Sequence, residues 1–115
     1  MRSRFPFAAF GALLVFAALT GCAQQRFEKL FGESVARPAL SCFHPAGQFV
    51  SADGVQAEGN GAFTGIIHWR GQVLGNEYVT RVRVALADGS AHVTVVDDTA
   101  VTKGVRDSCD IPVPR

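Results

Sequence analysis

Residues 78–97 leave this chain the least freedom. Tyr78, Thr80, Val82, Val84 and Leu86 alternate with Val79, Arg81, Arg83, Ala85 and Ala87, and an apolar run of the same period returns from Ser90. Between the two lies Asp88-Gly89, a pair suited to the two-residue hairpin turn whose central residues both need positive φ. A two-residue turn sets Ala87 against Ser90, so Leu86 meets Ala91, Val84 meets Val93 and Val82 meets Val95 on one face. Arg83 then meets Thr94, and Arg81 meets Val96, on the other. A slip of one residue would turn both faces over, so the apolar pattern and the turn demand the same register.

The same period appears upstream. Asn60-Gly61 leads into residues 62–70, where Phe63, Gly65, Ile67 and Trp69 share one face and Thr64, Ile66, His68 and Arg70 the other. Asp53-Gly54, between Phe49-Val50-Ser51 and Val55-Gln56-Ala57, predicts a first, shorter hairpin. Residues 71–76 read as a further turn or a bulged crossing. A last strand is expected to hold Cys109 and Ile111, with Pro112 and Pro114 suiting an edge because proline cannot donate to a ladder. The expectation for residues 41–115 is an all-β domain, a small antiparallel sandwich or partly open barrel.

The other end of the chain has a different character. Met1-Arg2-Ser3-Arg4 is followed by an apolar run over residues 5–19 and then by Leu19-Thr20-Gly21-Cys22. The run is about 15 residues, short of the roughly 20 that cross a bilayer and within the span of a signal h-region. This order of basic, apolar and small residues before cysteine resembles the lipobox of bacterial lipoproteins. The resemblance covers residues 1–22. It implies removal of residues 1–21, a diacylglycerol on the sulfur of Cys22 and a membrane anchor. With Ala rather than Asp at position 23, the enterobacterial sorting rule implies the outer membrane, facing the periplasm. Two or three acyl chains on one residue hold a protein on a membrane durably, where a single chain binds only marginally.

Residues 22–40 read as the tether behind that anchor. Phe27, Leu30 and Phe31 form one short apolar helical face, stopped by Gly32, and Pro38 marks a break before the domain. That face either rests in the bilayer interface, packs on the domain or stays without fixed structure.

With Cys22 assigned to lipid, Cys42 and Cys109 remain as an even pair, expected to be a disulfide in an oxidising compartment. Closing the intervening loop stabilises a fold by roughly 4 kcal/mol in the chain-entropy model. Free thiols, or a metal pair completed by His44, are the competing readings. Without residues 1–21 the chain keeps 94 residues, enough for one small domain, and 9 Lys+Arg stand against 10 Asp+Glu. A near-neutral domain without a basic stripe is a poor nucleic-acid binder.

His44, His68 and His92 are too far apart in sequence for a zinc motif. Asp97, Asp98, Asp107 and Asp110 lack the loop spacing of a calcium site. Nothing resembles a nucleophile elbow or a phosphate-binding glycine loop. No enzyme activity, metal or cofactor is therefore expected. Arg81 and Arg83, with Val79 and Val96 beside them, form a candidate partner surface on the outer sheet face. The competing reading is a solvated face partly neutralised by Asp97 and Asp98. The expected function is a non-enzymatic, lipid-anchored binding or scaffold module of the envelope, with an envelope protein as partner. The alternative is an inhibitor of a wall-degrading enzyme such as lysozyme. The lipobox, the small β domain with cysteines near both ends, and Thr102-Lys103-Gly104 are together similar to the membrane-bound lysozyme inhibitor family. That family's Ser-Gly-x-x-Tyr loop has no counterpart here, and Cys109 follows Lys103 too closely, so no inhibitory residue is carried over.

Overall fold

The computed structural model describes residues 22–72, 74–100 and 104–114. The leader 1–21 and Thr102-Lys103 lie outside them. Five strands, β1 (Gln48–Gly59), β2 (Ala62–Arg70), β3 (Glu77–Ala87), β4 (Ser90–Asp98) and β5 (Ser108–Pro112), form one open antiparallel sheet in the order β1-β2-β3-β4-β5. The antiparallel β domain expected from the alternation is the domain observed.

Its central hairpin has the register that the turn dictates, with Ala87 opposite Ser90, Leu86 opposite Ala91, Val84 opposite Val93 and Val82 opposite Val95. At Arg81 the register departs. A bulge between Arg81 and Val82 sets Arg81 against Asp97 rather than Val96. An extra residue in one strand does this, and it brings a carboxylate to the guanidinium instead of an isopropyl group.

The expected first hairpin at Asp53-Gly54 is absent. Both flanking runs belong to the single long strand β1, which pairs with β2 along its length. Gly54 adopts a φ of 65° where the register shifts between Asp53 and Gln56. A residue in that region makes a bulge as readily as a turn. The true reversal is Asn60-Gly61, with φ 53° and 72°, as an Asn-Gly hairpin turn requires.

The largest departure concerns residues 22–40. They are not a tether. Helical residues 22–30, here α1, continue through a π-helical turn (Phe31–Val35) into α2 (Ala36–Phe43). Gly32 does not end the helix, and Pro38 falls inside α2. The π turn explains both the continuity and why the pattern hides it. At about 100° per residue, Phe27, Leu30 and Phe31 fall nearly opposite Ala36, Ala39, Leu40 and Phe43 on an ideal helix. The π turn, closed by the Ala36 N–H donating to the Phe31 carbonyl, holds more residues per turn. It thereby brings the second group round toward the sheet that the first already faces. It also interrupts the i→i−4 ladder just where Pro38 would break it.

This helix covers one face of the sheet. Phe31, Val35, Ala36, Ala39, Leu40 and Phe43 are buried against Phe63, Ile67 and Trp69 of β2, Val82 and Val84 of β3, Ala91 and Val93 of β4 and Ile111 of β5. Helix on sheet is a two-layer arrangement that buries the apolar side of each. The fit is close at Gly65, where an added Cβ would lie 2.6 Å from the ring of Phe31. Phe63 receives Phe27 stacked at 4.9 Å and Phe31 edge-on at 5.8 Å.

The disulfide between Cys42 and Cys109 is present. It does not tie first strand to last, however. Cys42 is on α2 and Cys109 on β5, so the bridge fastens the covering helix to the edge of the sheet.

Candidate functional site

Three places bring chemistry-bearing side chains together: the uncovered sheet face, the C-terminal end of the helix and its N-terminal end.

On the uncovered face, alternation turns Thr64, Ile66, His68 and Arg70 of β2 outward, next to Val79, Arg81 and Arg83 of β3. The two arginines are paired rather than free. Arg83 Nε meets Glu58 Oε1 at 2.8 Å, and Arg81 Nη2 meets Asp97 Oδ2 at 3.3 Å. His68 meets Asp53 at 2.8 Å, and His92 meets Asp110 at 2.8 Å. Asp53–His68 therefore joins β1 to β2, Glu58–Arg83 reaches from β1 to β3, Arg81–Asp97 joins β3 to β4, and His92–Asp110 joins β4 to β5. Asp97 neutralises Arg81, as in the competing reading of a solvated face. Asp98 does not take part, and the partner of Arg83 is Glu58, a residue with no local signal pointing to it. Strand alternation and the bulges in β1 decide that pairing. Beside the arginines, Val96 is 46% exposed at the bulge, Val79 is half-buried and Ile66 lies across from Arg81. The four candidate surface residues thus share one face, as an apolar strip bordered by satisfied charges.

At the C-terminal end of the helix, His44 Nε2 and Asp98 Oδ2 are 2.5 Å apart, with side chains only 9% and 17% exposed. The His44 ring stacks on Trp69 at 4.3 Å, and Trp69 Nε1 donates to Thr80 Oγ1 at 2.9 Å. Asp98 Oδ1 also accepts the Ala100 N–H at 3.0 Å. Among the described residues no fully buried side-chain nitrogen or oxygen lacks a partner, as a low-dielectric setting requires. A recess of about 240 Å³ opens beside it, lined by Phe43, His44, Trp69 and Val105 among others. The sequence placed Trp69 and Tyr78 inward, and their rings pack at 4.9 Å. It did not join His44 to Asp98, which are 54 residues apart. Hydrogen-bonded to each other, with His44 stacked on Trp69, the pair acts as a clamp. It holds the end of β4 to the helix.

Among the described residues no three His, Cys, Asp or Glu side chains converge as a metal site. Each of the three histidines instead faces a single aspartate. Asp107, the remaining member of the expected acidic corner, is exposed, and its carbonyl accepts the Val95 N–H at 2.9 Å.

At the N-terminal end of the helix, Cys22 is exposed and is the free cysteine among the described residues. Two residues later the chain is already fixed. The Gln24 side chain donates to the Val55 carbonyl and accepts the Ala57 N–H at 3.2 Å, spanning both hydrogen-bonding groups of one stretch of β1. Phe27, half-buried, stacks on Phe63. The apolar face that the sequence allowed to rest in a bilayer is thus occupied by the sheet. Alongside, a cleft of about 750 Å³ runs between Arg26, Phe27, Leu30 and the β3–β4 turn at Ala87–Gly89.

Among the described residues no helix is long and apolar enough to cross a membrane. No protein-family model, no curated protein and no solved structure matches this chain.

Proposed function

We propose that this chain is a lipid-anchored lipoprotein of the bacterial envelope that works as a non-enzymatic binding or scaffold module. Its membrane is the outer membrane, on the leaflet facing the periplasm. One observation carries the reading: the order of basic, apolar and small residues ending in Leu19-Thr20-Gly21-Cys22. The division of labour among the cysteines supports it. Cys42 and Cys109 are bonded to each other, while Cys22 is exposed and separate from them. Disulfides persist in oxidising compartments such as the periplasm.

The surface that meets the partner is the uncovered face around Arg81, Arg83, Val79 and Val96. Aliphatic groups bordered by arginine suit a protein contact, because arginine combines apolar area with directional donors. The test has two arms. Mass spectrometry of membrane-extracted protein should show Cys22 acylated and residues 1–21 removed. Crosslinking in intact cells should then yield one defined envelope partner, lost when Val96→Asp is introduced on the folded domain. Bare Cys22 with the leader retained overturns the anchor. Crosslinking that is insensitive to Val96→Asp and Arg83→Glu overturns the surface. Dose-dependent inhibition of lysozyme by the purified protein would replace the scaffold reading with the inhibitor one.

A further inference from the structure

We infer that lipid on Cys22 fixes which end of this domain meets the bilayer, with the Asn60-Gly61 and Asp88-Gly89 turns toward it and Leu74, between β2 and β3, at the far end. The inference rests on the lipid-anchor reading and adds to it which surface the bilayer meets. A lipoprotein domain on a flexible linker samples all orientations. Here there is no room for a linker, because the chain is already helical at the anchor residue itself.

Two contacts transmit the anchor's position to the sheet, and a cleft marks the turn beside them. Gln24, two residues from Cys22, is hydrogen-bonded to the backbone of β1 at Val55 and Ala57. Phe27 is stacked on Phe63 at the start of β2. Arg26, Phe27 and Leu30 line one cleft with Ala87, Asp88 and Gly89 of the β3–β4 turn. The far end of the same helix is held by the Cys42–Cys109 disulfide and by His44 on Asp98 and Trp69. Held at both ends of its helix, the body keeps Cys22 at one place on its surface, so the end that carries Cys22 is the end the acyl chains draw to the bilayer.

Direction follows from the strands. The helix runs antiparallel to β1, so its N-terminal end lies by the end of β1 at Gly59 and its C-terminal end by the start at Gln48. The Leu86 N–H donates to the Gly61 carbonyl at 3.0 Å, which sets the two turns side by side. Both are therefore at the anchored end. Arg26 and Lys29 are exposed there, and neither has an ion-pair partner among the described residues. The opposite end carries Leu74, 80% exposed, on the turn between β2 and β3. At about 3.4 Å per residue, β3 alone separates the two ends by more than 30 Å.

The chemistry of the cysteines makes a clean test. With Cys22 acylated and Cys42 bonded to Cys109, a newly introduced cysteine is the one free thiol. Ala87→Cys and Leu74→Cys, both at exposed positions, are each labelled with a fluorophore in the lipidated protein. The protein is then reconstituted into phosphatidylcholine vesicles that carry a quencher on their headgroups. The label at position 87 should be quenched several-fold more than the label at position 74, and adding Gln24→Ala should narrow the difference. Equal quenching in lipidated, vesicle-bound protein, or stronger quenching at 74, overturns the inferred orientation and leaves the anchor reading standing. A mass spectrum showing bare Cys22, with the chain failing to bind vesicles, overturns the anchor reading itself.

Discussion

The two faces of the sheet are held by different physics. The face under the helix is sealed by aromatic and aliphatic side chains, with Phe31, Phe43, Phe63, Ile67, Val82, Val84 and Val93 all fully buried. The other face has no covering layer among the described residues and carries its order as cross-strand charge pairs, among them Asp53–His68, Arg83–Glu58, Arg81–Asp97 and His92–Asp110. Burial contributes about 25 cal/mol per Å² of apolar area, whereas exposed ion pairs contribute typically 0–1 kcal/mol each, since water and salt screen them. The covered face therefore sets stability. The uncovered face is free to serve recognition, because its side chains can change at little cost to the fold.

Substitutions graded from one face to the other sharpen or break this contrast. The largest effect is expected at Phe31→Ala, which empties the notch over Gly65 and should cost about 3–5 kcal/mol in denaturant unfolding. Next comes Cys42→Ser or Cys109→Ser. Releasing the helix from β5 should cost about 2–4 kcal/mol under oxidising conditions, and the wild-type protein should fall to the same midpoint in reductant. Gly65→Ala should cost about 1–3 kcal/mol, because its Cβ would enter the Phe31 ring and a core packed this tightly yields little. Trp69→Phe should then cost about 1–3 kcal/mol by leaving the buried Thr80 hydroxyl without its donor. Smallest is Arg83→Ala, at about 0.2–1 kcal/mol and less as salt rises. Should Arg83→Ala destabilise as much as Phe31→Ala, the division between a stabilising and a free face would be wrong.

Some of this was legible from residue order and some was not, for reasons visible at individual positions. Local alternation around Asp88-Gly89 specified the β3–β4 register, since turn and period converge there. It failed one pair further on, where the bulge gave Arg81 to Asp97. Asp53-Gly54 misled because a glycine at positive φ serves a bulge as well as a hairpin, and only the length of β2 opposite decides which. The helix was concealed by its own π turn, which splits one buried stripe into two groups that look out of phase. Of the candidate surface, Val79, Arg81 and Arg83 follow the alternation of β3, while the bulge took Val96 out of register with Arg81. Glu58 and Ile66 entered only through the pairing of β1 with β2 and of β2 with β3.

Residue order alone determined the antiparallel sheet and its central register, because both depend on a strict period of two, and it left the Cys42–Cys109 bridge as one of several readings. Tertiary structure decided that the segment after Cys22 is the roof of the sheet, that the disulfide fastens that roof, and that His44 meets Asp98. These depend on contacts between residues far apart in the chain, and the cost of closing such loops grows only slowly with their length. Burial of the helix face in the finished fold, rather than any local propensity, therefore selects them.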